Sequence, residues 1–151
     1  MDSFKLITGN VTTDYDKEVD VLTRENSKMT TFQYQIQIGD QRREVFEFLD
    51  AWVDTGASYT LVPREVMERL GHVPTHQRPF RLADGSVVEL GLCQAPLRIG
   101  EETVIVSCVF GDENTQPLLG ATALEEFGLG VDPINHTLVP IVLNLLGFNQ
   151  E

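Results

Sequence analysis

The chain has 151 residues, of which 42% are hydrophobic, enough for one domain with its own core and too few for two. Asp and Glu number 23 against 11 Lys and Arg, a formal net charge of -12. Such a charge repels nucleic acid and anionic membrane surfaces, so neither is expected as a partner. Residues 1–31 are polar and mixed in charge, with weak alternation in Phe4-Lys5-Leu6-Ile7, and read as a tail or an added strand. They contain no apolar core of a signal peptide, and no stretch reaches transmembrane length, so a cytoplasmic protein is expected. Without export, the glycosylation patterns Asn10-Val11-Thr12 and Asn135-His136-Thr137 carry no meaning.

The clear pattern begins at Phe32. Phe32, Tyr34, Ile36 and Ile38 alternate with Gln33, Gln35 and Gln37, the period of a half-buried strand, and Gly39-Asp40 supplies a turn. Residues 43–53 predict a second strand, polar at first and then apolar from Phe46 to Val53, ending on Asp54. Residues 58–62 are β-branched and aromatic and predict a third. Residues 63–70 predict a short helix with Pro63 at its first position, an apolar face of Val66, Met67 and Leu70, and a stop at Gly71. Residues 72–79 read as a loop. His72 and His76 have helical spacing, but Pro74 between them argues against a helix and against a metal pair, so no metal is expected.

Residues 80–91 predict a hairpin around Ala83-Asp84-Gly85-Ser86, because Asp-Gly between alternating residues is a strong turn signal. Residues 92–99 and 103–110 predict a further hairpin around Gly100-Glu101-Glu102. Cys93 and Cys108 lie in these apolar runs and read as free buried thiols. Residues 111–116 form a polar loop whose Asp112 and Glu113 fall short of a calcium loop. Thr122-Ala123-Leu124-Glu125 fits a capping box, so a helix is expected to start near Ala123 and stop at Gly128. Residues 129–133 and 136–142 read as a closing strand pair. Asp132 precedes Pro133 and reads as a turn acid. Many short strands with two short helices predict a mainly-β architecture, a small closed barrel. The expected division is residues 1–31 as tail or strand, 32–142 as the domain and 143–151 as an apolar tail.

One stretch carries chemistry: Val53-Asp54-Thr55-Gly56-Ala57-Ser58. A carboxylate at the end of an apolar strand is costly unless hydrogen-bonded, paired or used. Gly56 lets the backbone turn closely and aim N–H groups at that carboxylate, and Thr55 and Ser58 supply hydroxyls. The plain alternative is an ordinary Asp turn.

This stretch resembles the active-site motif of aspartic proteases, Asp-Thr-Gly followed by Ala or Ser. Leu118-Leu119-Gly120 resembles the hydrophobic-hydrophobic-Gly motif behind that loop in the retropepsin-like family, and Ala121 to Phe127 resembles the short helix that follows it there. Residues 80–91 fall where the family has its flap, although the hairpin is short and lacks the glycine-rich tip of viral relatives. The resemblance covers residues 32–140 in the right order. It implies a small retropepsin-like barrel with Asp54, Thr55 and Gly56 as the catalytic loop. It implies that Ala57 and Ser58, with Ala83, Asp84, Gly85 and Ser86 of the flap, contact a protein or peptide substrate. No cofactor is implied. Since the chain has one Asp-Thr/Ser-Gly motif, the resemblance implies a homodimer in which two copies of Asp54 meet. Other readings remain: a peptide-binding module without turnover on the same fold, or a monomeric structural domain with Asp54 as a turn acid.

Overall fold

A computed structural model describes residues 31–147. The chain divides into two compact units, one of residues 33–131 and 138–151, the other of residues 1–32 and 132–137. Expectations for residues 1–30 and 148–151 lie outside the described residues.

The larger unit is built mainly from strands. β1 (Gln33–Gly39) and β2 (Phe46–Val53) form an antiparallel pair joined by the Asp40–Val45 turn. The Asp40 carboxylate accepts the N–H groups of Glu44 (2.8 Å) and Val45 (3.1 Å), which hold its pKa below the usual carboxylate value, Val45 most strongly. β3 (Thr60–Pro63) leads into helix α1 (Arg64–Arg69). β4 (His76–Arg81) pairs with the first half of β5 (Val87–Ile99), whose second half pairs with β6 (Glu102–Gly111). β7 (Leu118–Leu119) precedes helix α2 (Ala121–Phe127). β8 (Leu129–Asp132) and β9 (Thr137–Pro140) form a separate two-stranded sheet.

The strands of the main sheet run β1-β2-β7-β3-β6-β5-β4, and β1 pairs again with β5 through Gln37 with Arg98 and Ile38 with Leu97. That last pairing closes a ring of β1, β2, β7, β3, β6 and β5. The expected closed barrel is therefore formed, with β4 outside the ring. Inward residues alternate along each wall: Ile36 and Ile38 on β1, Ala51 and Val53 on β2, Cys93, Ala95 and Leu97 on β5, Val106, Cys108 and Phe110 on β6. Cys93 and Cys108 are directly opposite in the register, both buried and both free thiols. Burial pushes both thiols up, Cys108 further, with Cys93 adding to its shift.

Several boundaries differ from the sequence expectation. Pro63 ends β3 and caps α1 instead of sitting at its first helical position. The segment read as a loop before Pro79 contains the start of β4, so the flap hairpin runs from His76 to Leu92 rather than from Phe80 to Gly91 and is not short. The two hairpins expected around residues 91–92 share one continuous strand, β5. Helix α2 starts at Ala121, not near Ala123, and Gly120 rather than Thr122 occupies its N-cap, with no side-chain cap. The donors at its start are satisfied from far away in sequence: Ala121 N–H donates to the Ala57 carbonyl (2.8 Å) and Thr122 N–H to the Ser58 carbonyl (3.1 Å).

His72 is buried and structural. Its Nε2–H donates to the Gly39 carbonyl (2.8 Å), and its Nδ1 accepts from the Gln41 amide (3.2 Å). The exposed side of α1 is anchored by Arg69, which makes two hydrogen bonds to Glu47 (2.7 and 2.8 Å) and holds that carboxyl below its usual range. Ile141, Val142, Leu143, Leu145 and Leu146 are exposed. Among the described residues no helix is long and apolar enough to cross a membrane, and none of the His, Cys, Asp and Glu side chains cluster as a metal site would need.

In the smaller unit, the Asp132 carboxylate accepts from the N–H groups of Ile134 (3.0 Å) and Asn135 (3.1 Å) and from the Asn135 amide (2.9 Å). These bonds, the Asn135 side chain first, hold its pKa below the usual value. It is a turn acid, as its sequence context predicts. Phe32 stacks on His136 with ring centroids 5.3 Å apart.

Candidate active site

Asp54 is the first residue beyond β2, where the parallel pairing of β2 with β7 ends at Val53 opposite Leu119. Its own N–H continues that ladder by donating to the Leu119 carbonyl (3.0 Å). The chain then reverses at once: Ala57 N–H donates to the Asp54 carbonyl (3.1 Å), and Gly56 N–H donates to Asp54 Oδ1 (2.9 Å). The expected role of Gly56 is thus met by its own amide. The turn is tight enough that a Cβ at position 56 would lie 3.2 Å from that carboxylate oxygen.

Behind the loop, Gly120 is required for close approach. A Cβ there would lie 2.6 Å from the Tyr59 carbonyl carbon and 2.9 Å from the Ala57 carbonyl oxygen. Gly120 N–H donates to buried Thr60 Oγ1 (3.2 Å), and the first amides of α2 take the carbonyls of Ala57 and Ser58. Leu118, Leu119 and Gly120 therefore hold the Asp54 loop by backbone bonds on one side and by bare backbone contact on the other. The hydroxyls of Thr55 and Ser58, expected to bond within the loop, are on exposed residues and make no hydrogen bond within the described residues.

A cleft of about 800 Å³ opens in front of Asp54. Gly56, Ala57, Ser58 and Tyr59 line one side, and β4 with the start of the following turn, Arg78 to Ala83, lines the other. Leu61, Leu90, Val109 and Leu118 make its floor apolar. Tyr59 and Phe80 meet edge to face across it, their ring centroids 6.0 Å apart. The hairpin that faces Asp54 is the one expected to be the flap. Of its tip, Ala83 lines the cleft. Asp84, Gly85 and Ser86 do not line it: Asp84 Oδ1 accepts the Ser86 hydroxyl (2.6 Å) and the Ser86 N–H (2.9 Å), which hold its pKa below the usual value, and Gly85 N–H donates to the Leu82 carbonyl (2.9 Å). Thr55 does not line the cleft.

Tyr59, Arg78 and Phe80 were not apparent from the sequence. Tyr59 follows the motif directly and reads as an ordinary strand residue; Arg78 lies in the part of β4 that was read as loop, and Phe80, though within the expected hairpin, was not singled out as a site residue. The one usable signal was Phe80 in alternation with Arg78 and Leu82.

Comparison with known proteins bears on the family of the chain. No curated protein matches the chain. A solved structure, the solution structure of Simian Foamy Virus (mac) protease, is similar with a TM-score of 0.46 and 16% identity, over 64% of this chain and 94% of that one. The family model described as "gag-polyprotein putative aspartyl protease" matches residues 35–126. That match runs from β1 through the Asp54 loop and the β4–β5 hairpin into α2, more than half of the sequence, and the chain belongs to this family of retropepsin-like aspartyl proteases.

Proposed function

We propose that the chain is an aspartic endopeptidase that works as a homodimer, with the carboxyls of two Asp54 residues as its catalytic pair. The observation that carries this is the placement of a half-buried Asp54, with one carboxylate oxygen fixed by Gly56 N–H, in the lining of a cleft that β4 also lines. One carboxyl per chain is not enough for this chemistry. Two carboxyls brought close by a two-fold axis cannot both ionise, so the pair shares a proton. The charged partner takes a proton from a water molecule as that water attacks the peptide carbonyl. The protonated partner hydrogen-bonds the carbonyl oxygen and then helps protonate the leaving nitrogen. No metal or organic cofactor enters these steps.

The outward side of the loop suits a second copy. Thr55 is exposed with a free hydroxyl, available to bond across the axis as the family resemblance implies. The exposed run from Ile141 to Leu146 offers apolar area for a partner to bury. Burial has to outweigh the repulsion of a dimer carrying twice -12, that is -24. Substrate would enter as an extended peptide beneath β4 and the flap tip, its backbone paired like an added strand.

The test joins two measurements on the full chain: native mass, and hydrolysis of an unstructured protein across acidic and neutral pH. A dimer that cleaves, and an Asp54→Asn variant that remains folded and does not, is the expected result. Hydrolysis by Asp54→Asn at the parental rate refutes the proposal.

A further inference from the structure

The charged residues lining the cleft are Asp54 on the barrel side and Arg78 and Arg81 on β4. The other arginines carried on described helices and strands all have partners for their side chains. Arg64 lies over the Phe110 ring and reaches Glu68, and Arg69 binds Glu47. Arg81 donates to the Gly85 carbonyl (3.1 Å), and Arg98 donates to Thr103 and lies over Phe46. Arg78 makes no hydrogen bond or ion pair within the described residues, in a chain where 23 acidic residues face 11 basic ones. Its surroundings explain why. Arg78 is opposite Leu90, and Phe80, opposite Val88, shares its face of the hairpin. The nearest acid in the register, Glu89, is opposite Pro79 and so belongs to the other face. A guanidinium with five donors thus lines an apolar-floored cleft without a carboxylate of its own.

We propose that Arg78 determines specificity by selecting substrates with an Asp or Glu side chain near the scissile bond. The proposal rests on the reading of the cleft as the peptide site. A planar guanidinium matches a carboxylate with two parallel hydrogen bonds, and because Arg78 is exposed the match is worth a modest preference. Because an extended peptide presents alternate side chains to each face, the preference falls on one position or on positions of one parity, not on acidic peptides in general. The net charge of -12 works against acidic peptides elsewhere on the surface, so the selection is local to the cleft.

The experiment uses a set of unstructured peptides that differ only by Glu, Gln or Lys at each position in turn. Cleavage is measured as kcat/KM with the parent, and binding by fluorescence anisotropy with Asp54→Asn. The expected result is a preference for Glu over Gln of about five- to tenfold at the selected position in both measurements. Arg78→Gln, also combined with Asp54→Asn for binding, should erase that ratio, and Arg78→Glu should turn it toward Lys. Arg42→Gln removes the same charge from the Asp40–Val45 turn, outside the cleft, and should keep the ratio. A Glu-to-Gln ratio near one in the parent, or one that survives Arg78→Gln, overturns the proposal. Arg78-dependent binding without cleavage of any peptide would uphold the acidic preference and sink the hydrolytic reading. Cleavage without charge preference would do the opposite.

Discussion

Asp54 and Asp84 are both acids in tight turns, both accept the N–H group two residues on, and both belong to the hairpin-and-loop pair that frames the cleft. They are held by different means. The Asp54 loop is bonded to residues more than fifty positions away: Leu119 takes its N–H, and Ala121 and Thr122 donate to its carbonyls. The Asp84 turn is held from within, by Ser86 and by Arg81 reaching Gly85. The backbone that carries the first carboxylate is fixed only when the barrel is complete. The second is fixed by its neighbours in sequence and can move with the hairpin as a unit. A protease needs both kinds of support, since its chemistry requires a set geometry while its cover must open.

The sharpest break of this comparison is the same substitution at both acids. Asp54→Asn is expected to lower hydrolysis by about a thousandfold or more without loss of fold, since it removes the acid–base group itself. Asp84→Asn is expected to change it by at most a few-fold. Kinetics with a thermal melt on each variant checks both. Equal losses would mean that the tip is part of the chemistry.

Next in size are changes to the support of the Asp54 loop. Gly120→Ala forces a methyl group against the Tyr59 backbone and is expected to destabilise by about 1–3 kcal/mol. Thr60→Val leaves the buried Gly120 N–H without its acceptor, at a similar cost of about 1–3 kcal/mol. Ser86→Ala at the tip should remain within about 0.5 kcal/mol of the parent. Denaturant unfolding of the three variants measures the contrast, and a tip variant as costly as the loop variants would erase it.

A smaller effect lies in exchange kinetics. Amides of residues 83–86 are expected to exchange faster than those of Asp54, Ala57, Ala121 and Thr122 in the free protein, and to slow when a peptide is bound. Equal protection in both states would count against a moving cover.

The smallest effect is that of pH on the tip. Ser86 holds Asp84 below its ordinary value of 3.8, so the folded turn is favoured above that value. The contribution is lost as pH falls below 3.8 toward the depressed folded value. Proton resonances of the Ser86 amide followed through that range should report the loosening, and the Ile134 and Asn135 amides of the Asp132 turn, also held by a depressed carboxylate, should shift in the same sense. Hydrolysis itself should follow a bell-shaped profile whose two limbs belong to the carboxyl pair as a whole.

Most of the fold was legible because it is written in local alternation. β1, with Ile36 and Ile38 against glutamines, could be read directly, and so could the Asp-Gly turn of the flap. What was not legible depended on partners remote in sequence. Thr122 looked like a cap because nothing near it shows that the carbonyls of Ala57 and Ser58 already satisfy the helix. Strand β4 was obscured by Pro79, which argues against a strand locally but is tolerated on one with a single neighbour. The motif residues were legible at Asp54 and Gly56, whose partnership spans two positions. The opposite wall of the cleft was not, because Arg78 and Phe80 acquire their meaning only from where the hairpin folds back.

The ring of strands has a further consequence, for how the molecule behaves among its own kind. In the strand order of the main sheet β4 is the end strand, with β5 as its one neighbour, so along its outer side it presents an open row of backbone groups. An open row invites any extended chain, including another copy, and is the usual starting point of runaway fibre growth. Here that row is short, carries Arg78 and Arg81, and lacks an N–H group at Pro79. Long flat assembly is thereby discouraged, while a brief visit by a single peptide is not. Replacing Pro79 with a residue such as Val would supply the missing donor, and storage at high concentration would then be the condition under which this protein first turns cloudy.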